Sequence, residues 1–276
     1  MDQHGELLAL AGRAPDAWLA IAREALADGD TGRVDDLLSV LDVSKTSNKQ
    51  HTFTPAGHDA ADDAVRTTAG AAACWVALRD GVDRVYLVQA GIDADLPAVT
   101  AAAQHALAPL MDTPMVEVFG PDHLLPDYHE QALLAATLLW SSPAPEVAVA
   151  RAFDGAGPDG PFFAADHELV VDPAERRRLS DFLAGGEVVL TATARLVDVL
   201  TGAADAVPAS LRSDGEWVWS EATRYYLDRY QLAPDPDLAG HARTNRPRDR
   251  MDPLTRHHVR VALHPTDQED SSWRAG

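Results

Sequence analysis

Apolar residues over the first forty positions recur at helical spacing. Leu7, Leu8, Leu10 and Ala11 form a short stripe. Pro15 is placed to open a second helix at its first position, where a missing N–H costs nothing. Trp18, Leu19, Ala22 and Leu26 then share one face of that helix. Thr31 is the expected N-cap of a third helix carrying Val34, Leu37, Leu38 and Leu41. Residues 44–66 lose this periodicity: lysine, serine and asparagine give way to Pro55, Gly57 and several aspartates, and a linker is expected.

The pattern then shortens. Residues 71–78 and 85–89 are apolar runs separated by Arg79-Asp80-Gly81-Val82-Asp83, and the Asp-Gly pair signals a hairpin. An alanine-rich helix over residues 97–110 and a strand over 115–119 complete a β-β-α-β order. A helix is expected over 126–140, with Leu133, Leu134, Leu138 and Trp140, and a strand over 146–153. Asp172 caps a helix with Pro173 at its first position, and Gly185-Gly186 stop it. Alternation at Val189, Thr191, Thr193, Arg195, Val197 and Val199 predicts a strand over 187–200, broken near Arg195. Residues 207–212 and 216–219 flank Asp214-Gly215, a second hairpin signal. Ser220 caps a helix over 221–230, Pro234 and Pro236 end it, and a short helix over 237–243 follows. The fold class is α+β: a helical N-terminal unit (1–43), a linker (44–66), a mixed α/β body with antiparallel hairpins (67–242), and an arginine-rich segment with a C-terminal tail (243–276).

Charge changes this picture more than composition does. The 276 residues hold 23 basic and 43 acidic side chains, a net charge of −20. Such a surface repels nucleic acid and anionic membrane and favours a basic protein partner. The charge is uneven. Six arginines against two aspartates give residues 243–260 a local charge of +4, residues 261–276 carry −2, and residues 1–242 hold −22. The arginine segment is expected to lie on acidic surface, in its own chain or in a second copy. The N-terminus lacks a basic, apolar leader and no run reaches about 18 apolar residues, so a cytoplasmic protein is expected. Two lysines, two isoleucines and abundant arginine and alanine fit a GC-rich, actinobacterial source.

No sequence motif assigns catalytic residues, a cofactor or a metal. Cys74 is the single cysteine, inside an apolar run, and reads as a small buried hydrophobe. Gly155-Ala156-Gly157-Pro158-Asp159-Gly160 matches the dinucleotide fingerprint, but Pro158 interrupts it and no helix follows to hold a pyrophosphate. His123 and His129 stand six apart, off a common helical face. Asp59, Asp62 and Asp63 form an acidic cluster without the glycine-centred loop of a calcium site. H-E-x-x-H, G-x-S-x-G and phosphate-loop patterns are missing.

The aromatic set at 217–230 is the most distinctive feature. Trp217 and Trp219 share one face of a strand, and Tyr225 and Tyr226 follow on a helix. Exposed, they make an interaction platform; buried, they pack a hairpin against its helix. The segment Asp214-Gly215-Glu216-Trp217-Val218-Trp219 with Tyr225-Tyr226-Leu227 resembles D-G-x-W-x-W-x5-Y-Y-L segments of an uncharacterised actinobacterial family, clearest over 174–240. Some members neighbour toxin or secretion systems, which implies an immunity-like or adaptor role and carries over no catalytic residue. The leading expectation is a non-enzymatic protein-binding module, with Trp217, Trp219, Tyr225, Tyr226, Asp59, Asp62 and Asp63 as candidate binding residues. An enzyme with a site assembled from scattered residues is the alternative, and a structural subunit of a larger assembly the third reading.

Overall fold

A computed structural model describes residues 2–41, 50–143, 145–158 and 160–263. Contacts divide the chain into two units, Met1–Pro143 and Ala144–Gly276. Residues 44–66 therefore fall within the first unit, and positions 44–49 lie outside the described residues, as does the tail from 264. The fold is α+β.

The first unit opens with α1 (Gln3–Ala9), α2 (Asp16–Ala27) and α3 (Thr31–Val40). Asp2 caps α1 and Asp30 caps α3 through their carboxylates, so Thr31 is the first helical residue and not the cap. Pro15 sits one place earlier than expected, immediately before α2. The three apolar stripes meet in a small core of Leu7, Leu19, Ala22 and Val34, edged by Trp18, Leu37 and Leu38.

The sheet of this unit contains β1 (Phe53–Pro55), β2 (Ala71–Arg79), β3 (Asp83–Ala90) and β4 (Met115–Phe119), in that order. Strands β2 and β3 are antiparallel, and Asp80 and Gly81 at their turn both have positive φ. This is the backbone that aspartate and glycine adopt most cheaply. Helix α5 (Leu96–Leu107) then crosses to β4, parallel to β3, so the expected β-β-α-β order stands. Cys74, Val76, Tyr86, Val88, Val116 and Val118 pack on Val99, Ala103 and Leu107 of α5.

One element differs. Helix α6 (Asp127–Ala135) stops before residues 137–140, which form β5 (Thr137–Ser141) antiparallel to β2. Ala136 is extended, and β5 occupies the β2 edge that β1 leaves open at residues 73–76. Leu139 and Trp140 reach the core from there. Tertiary pairing outweighs the local helical pattern.

The second unit is built on β6 (Ala148–Val149), β9 (Glu187–Leu190), β10 (Leu211–Ser213) and β11 (Trp217–Ser220), ordered β6-β11-β10-β9. Between β6 and β9 come the hairpin of β7 (Gly155–Gly157) and β8 (Gly160–Phe162), then α7 (Pro173–Ala184). The glycine-rich stretch thus forms a hairpin. Asp159 lies outside the described residues. Helices α8 (Glu221–Tyr230), α9 (Pro236–Thr244) and α10 (Pro253–Leu263) follow. Val218, Val189 and Leu211 pack on Met251 and Val259 of the C-terminal segment. Trp219 packs with Leu179, Leu183, Leu227 and Leu238 of α7, α8 and α9.

Three strands are shorter than expected. The strand over 146–153 shrinks to β6, that over 187–200 to β9, and that over 207–212 to β10. Beyond Leu190 the chain leaves the sheet, keeping one isolated bridge, Leu196 to Val207. Arg195 there donates to the carbonyls of Asp205 and Ala206, a side-chain tie beside the bridge's own backbone bonds.

Candidate functional site

The Asp-Gly hairpin at 214–215 is anchored from inside. Asp214 Oδ1 accepts from the N–H groups of Glu216 and Trp217 at 3.1 and 2.9 Å. Its Oδ2 accepts from His241 Nε2 at 2.7 Å, while Asn245 Nδ2 faces His241 Nδ1 at 3.1 Å. A neutral imidazole with its hydrogen on Nε2 satisfies both bonds. Gly215 has φ +98°, and a Cβ there would stand 2.7 Å from Thr255 Cγ2.

The aromatic set divides. Trp219 and Tyr226 are buried, and Trp219 Nε1 donates to Leu183 O at 3.0 Å. Trp217 and Tyr225 are partly exposed. The tyrosines hold the irregular segment after β9. Tyr226 Oη accepts from Val199 N–H at 3.0 Å, and Tyr225 donates to Asp198 Oδ2 at 3.0 Å. Tyr230 donates to the same oxygen. Burial acts to raise the Asp198 pKa, but donors from Tyr230, Leu200, Tyr225 and Thr201 outweigh it and bring it to about 2. The four aromatics are therefore packing and fastening groups more than one exposed platform.

The aspartates of the first unit are also engaged. Asp59 caps α4 (Ala60–Ala64) and shares a capping box with Asp62. Asp62 is fully buried and accepts from Arg84 at 2.7 Å and from Tyr86 Oη at 3.0 Å. Asp63 is exposed and pairs with Arg66 at 3.0 Å. Of the three, Asp59 and Asp63 face solvent, and Asp62 is committed to the core. Among the described residues no group of three or more His, Cys, Asp and Glu side chains is placed to hold a metal.

A buried polar network stands behind the sheet of this unit. Arg23 forks onto Glu117 at 2.6 and 3.1 Å and also donates to Val116 O. His129 Nε2 bonds to Glu117 Oε2 at 2.9 Å. Burial acts to raise the Glu117 pKa, and the Arg23 charge and the His129 bond overcome it, so the carboxyl titrates below its ordinary value. This network fastens α2 and α6 to β4.

The second unit contains a cavity of about 230 Å³. One wall is aromatic: the Phe163 ring lies 5.3 Å from Phe153, 4.8 Å from Tyr226 and 5.0 Å from His167. His167 Nδ1 bonds to Asp154 Oδ2 at 2.9 Å, and its Nε2 bonds to Ala233 O at 3.0 Å. A carboxylate and a carbonyl both accept, so the ring satisfies both only when doubly protonated. The Ala164 N–H lowers the Asp154 pKa, outweighing its partial burial, and His167 adds to the effect. Arg151 Nε donates to Asp235 Oδ2 at 3.1 Å. Asp166 and Glu168 line the same cavity and are exposed. Thr223 also lines it, is 5% exposed, and its Oγ1 has no hydrogen-bond partner.

Of the cavity residues, Tyr226 is a candidate from the sequence and the others are not. The lining comes from two neighbourhoods, 151–168 and 223–236, that a long stretch of chain separates. The run Phe162-Phe163 followed by Asp166-His167-Glu168 was the available signal.

The comparisons with known proteins add no relative. No protein-family model matches the chain. No curated protein and no solved structure matches it either.

Proposed function

We propose that the chain is a non-enzymatic protein-binding module, of the immunity or adaptor kind, that receives a basic partner on its acidic surface. The observation that carries this reading is the net charge of −20. The groups best suited to proton transfer support it, because they are engaged in holding the fold. His167 is held between two acceptors, and His241 and His129 are each tied to a buried carboxylate. The arginine segment fits the same view from the opposite side. Arg243 pairs with Glu175 and Arg256 with Glu187, each at 2.6 Å, so its charge is partly spent on its own unit. The cytoplasm is the compartment we assign, since the one cysteine is buried and no disulfide is called for.

Calorimetric titration with a lysine-rich peptide and a composition-matched neutral peptide tests the reading. Binding of the basic peptide alone, weakening as salt rises from about 0.05 to 0.5 M, is the expected result. Equal affinity for both peptides would count against it.

The enzymatic reading keeps one supporting observation: a cavity that holds a carboxylate of lowered pKa beside a histidine. We place it second because both ring nitrogens of His167 are taken up by hydrogen bonds within the fold, to Asp154 and to Ala233 O. Turnover of a small metabolite that disappears with His167→Gln would reverse this order.

A further inference from the structure

We propose that the two loops at the carboxyl ends of β3 and β4 form a docking surface for a cationic amphipathic segment of a partner protein, one in which lysine or arginine side chains flank an apolar one. The inference rests on the binding-module reading and deepens it, since it names where on the acidic surface the basic partner is received.

Two aliphatic side chains come first. Strands β3 and β4 run parallel, with Gln89 beside Phe119, so the loops that leave them emerge side by side. Residues 91–95 lead from β3 into α5, and residues 120–126 lead from β4 into α6. A Cβ at Gly120 would stand 3.2 Å from His123 Nδ1 in the one loop and 3.9 Å from Leu96 Cδ2 at the end of the other. The loops therefore adjoin. Each puts an aliphatic side chain into solvent: Ile92 is 80% exposed and Leu124 is 77% exposed. Both loops are fastened. Gly91 N–H donates to Gly70 O at 2.8 Å, Ala94 N–H to Gly91 O at 3.2 Å, and His123 N–H to Gly120 O at 3.2 Å. Asp95 caps α5. On the β4 side, His4 Nε2 donates to Val118 O at 2.9 Å. A single exposed aliphatic residue is ordinary, but two on adjoining, fixed loops make a patch that a partner can cover without first ordering it.

Charge decides what covers the patch. Aspartates flank both aliphatic residues: Asp93 and Asp95 in one loop, Asp122 in the other and Asp127 just after it, all exposed. None of the four has an ion-pair partner among the described residues. The surrounding sequence supplies no counter-charge, because residues 85–143 contain seven acidic side chains and no lysine or arginine. Glu117, one of the seven, is matched by Arg23, so four of the six that remain stand at these two loops. A cationic segment gains from all four, whereas nucleic acid or an anionic lipid surface meets repulsion. A purely polar cation would leave Ile92 and Leu124 in water, and an uncharged apolar segment would desolvate the carboxylates with no partner for them. A cationic amphipathic segment meets both demands, covering the aliphatic side chains with its apolar face and pairing the aspartates from its rim.

The test uses the full chain and four proteins: wild type, Ile92→Ser/Leu124→Ser, Asp93→Asn/Asp122→Asn, and Val82→Ser as a control. Val82 is 77% exposed at the β2–β3 turn, the opposite end of β3 from Ile92. Every substituted side chain is exposed, so the four melting temperatures should coincide. Each protein is titrated with a leucine–lysine peptide of amphipathic helical pattern and with a glycine–lysine peptide of the same charge, at low and at high salt. Wild type should bind the leucine–lysine peptide about tenfold more tightly than the glycine–lysine one. Ile92→Ser/Leu124→Ser should lose that preference and keep its affinity for the glycine–lysine peptide. Asp93→Asn/Asp122→Asn should bind both peptides several-fold more weakly, with a flatter salt dependence. The control should bind as wild type does. Binding of both peptides that neither double variant changes would overturn the docking surface and leave the module reading standing. A leucine–lysine preference lost equally in Val82→Ser would overturn the docking surface too, by showing adsorption to any exposed aliphatic group. Failure of wild type to bind either peptide would overturn both the surface and the module reading.

Discussion

Arg23 and Glu117 are about 95% buried and their charges meet in a fork. Exposed pairs such as Arg66–Asp63 contribute about 0–1 kcal/mol, but removing one partner of a buried pair costs about 3–5 kcal/mol. Arg23→Leu should therefore destabilise the first unit by about 3–5 kcal/mol in urea unfolding, and Arg66→Ala by less than about 1 kcal/mol. Asp198 gives a test in pH. Its pKa is held at about 2 in the folded chain, against about 4 when unfolded. A lowered folded pKa contributes stability above the unfolded value and loses it as pH falls toward the folded one. Wild type should melt a few degrees above Asp198→Asn at neutral pH, and the gap should close between about pH 4 and pH 2. A gap that persists at pH 2 would remove the tyrosine-held carboxylate from the account. At this scale the sequence was partly legible: Asp172 and Ser220 are helix caps where expected. The role of Tyr225 and Tyr230 was not, because their acceptor, Asp198, lies 27 and 32 residues earlier.

Helix α10 is the element with most at stake. It begins at Pro253, brings Leu254 and Val259 into the interior, and follows the buried Met251. Truncation after Thr244 strips that cover from Val218 and Val189 and removes the Arg256–Glu187 pair. Hydrogen exchange at β9 and β11 should then accelerate by orders of magnitude, since several large apolar groups lose burial at about 1.5–3 kcal/mol each. Unchanged protection would show the helix to be dispensable. Elements framed by local signals were the readable ones: both Asp-Gly hairpins, α5, β4, α7 and α8. Strand β5 was read as helix because its partner, β2, lies about sixty residues back and nothing near Thr137 announces it. The segment after Leu190 alternates as a strand should, but strand alternation needs a neighbour, and β10 begins only at Leu211, opposite Leu190.

For the whole molecule, charge was legible and its disposition was not. Composition gives −20 directly. That Asp62, Asp198 and Asp214 lie buried in the fold emerges only from the three-dimensional arrangement. The cavity is the extreme case: two distant parts of the chain converge on it, and only Tyr226 among its lining is a residue the sequence singled out. A simpler feature has a practical use at this scale. Cys74 is fully buried on β2, the strand bonded to β1, β3 and β5 together, and burial pushes its thiol pKa up to about 12. A thiol reagent can reach it only when that strand is released from its neighbours. Because the chain has no second cysteine, the labelling rate reports on the opening of the first unit at this one strand. Labelling that tracks the urea dependence of global unfolding would show that β2 opens only as part of the whole sheet; labelling that is fast in dilute buffer would expose a local breathing mode at the β1–β5 edge.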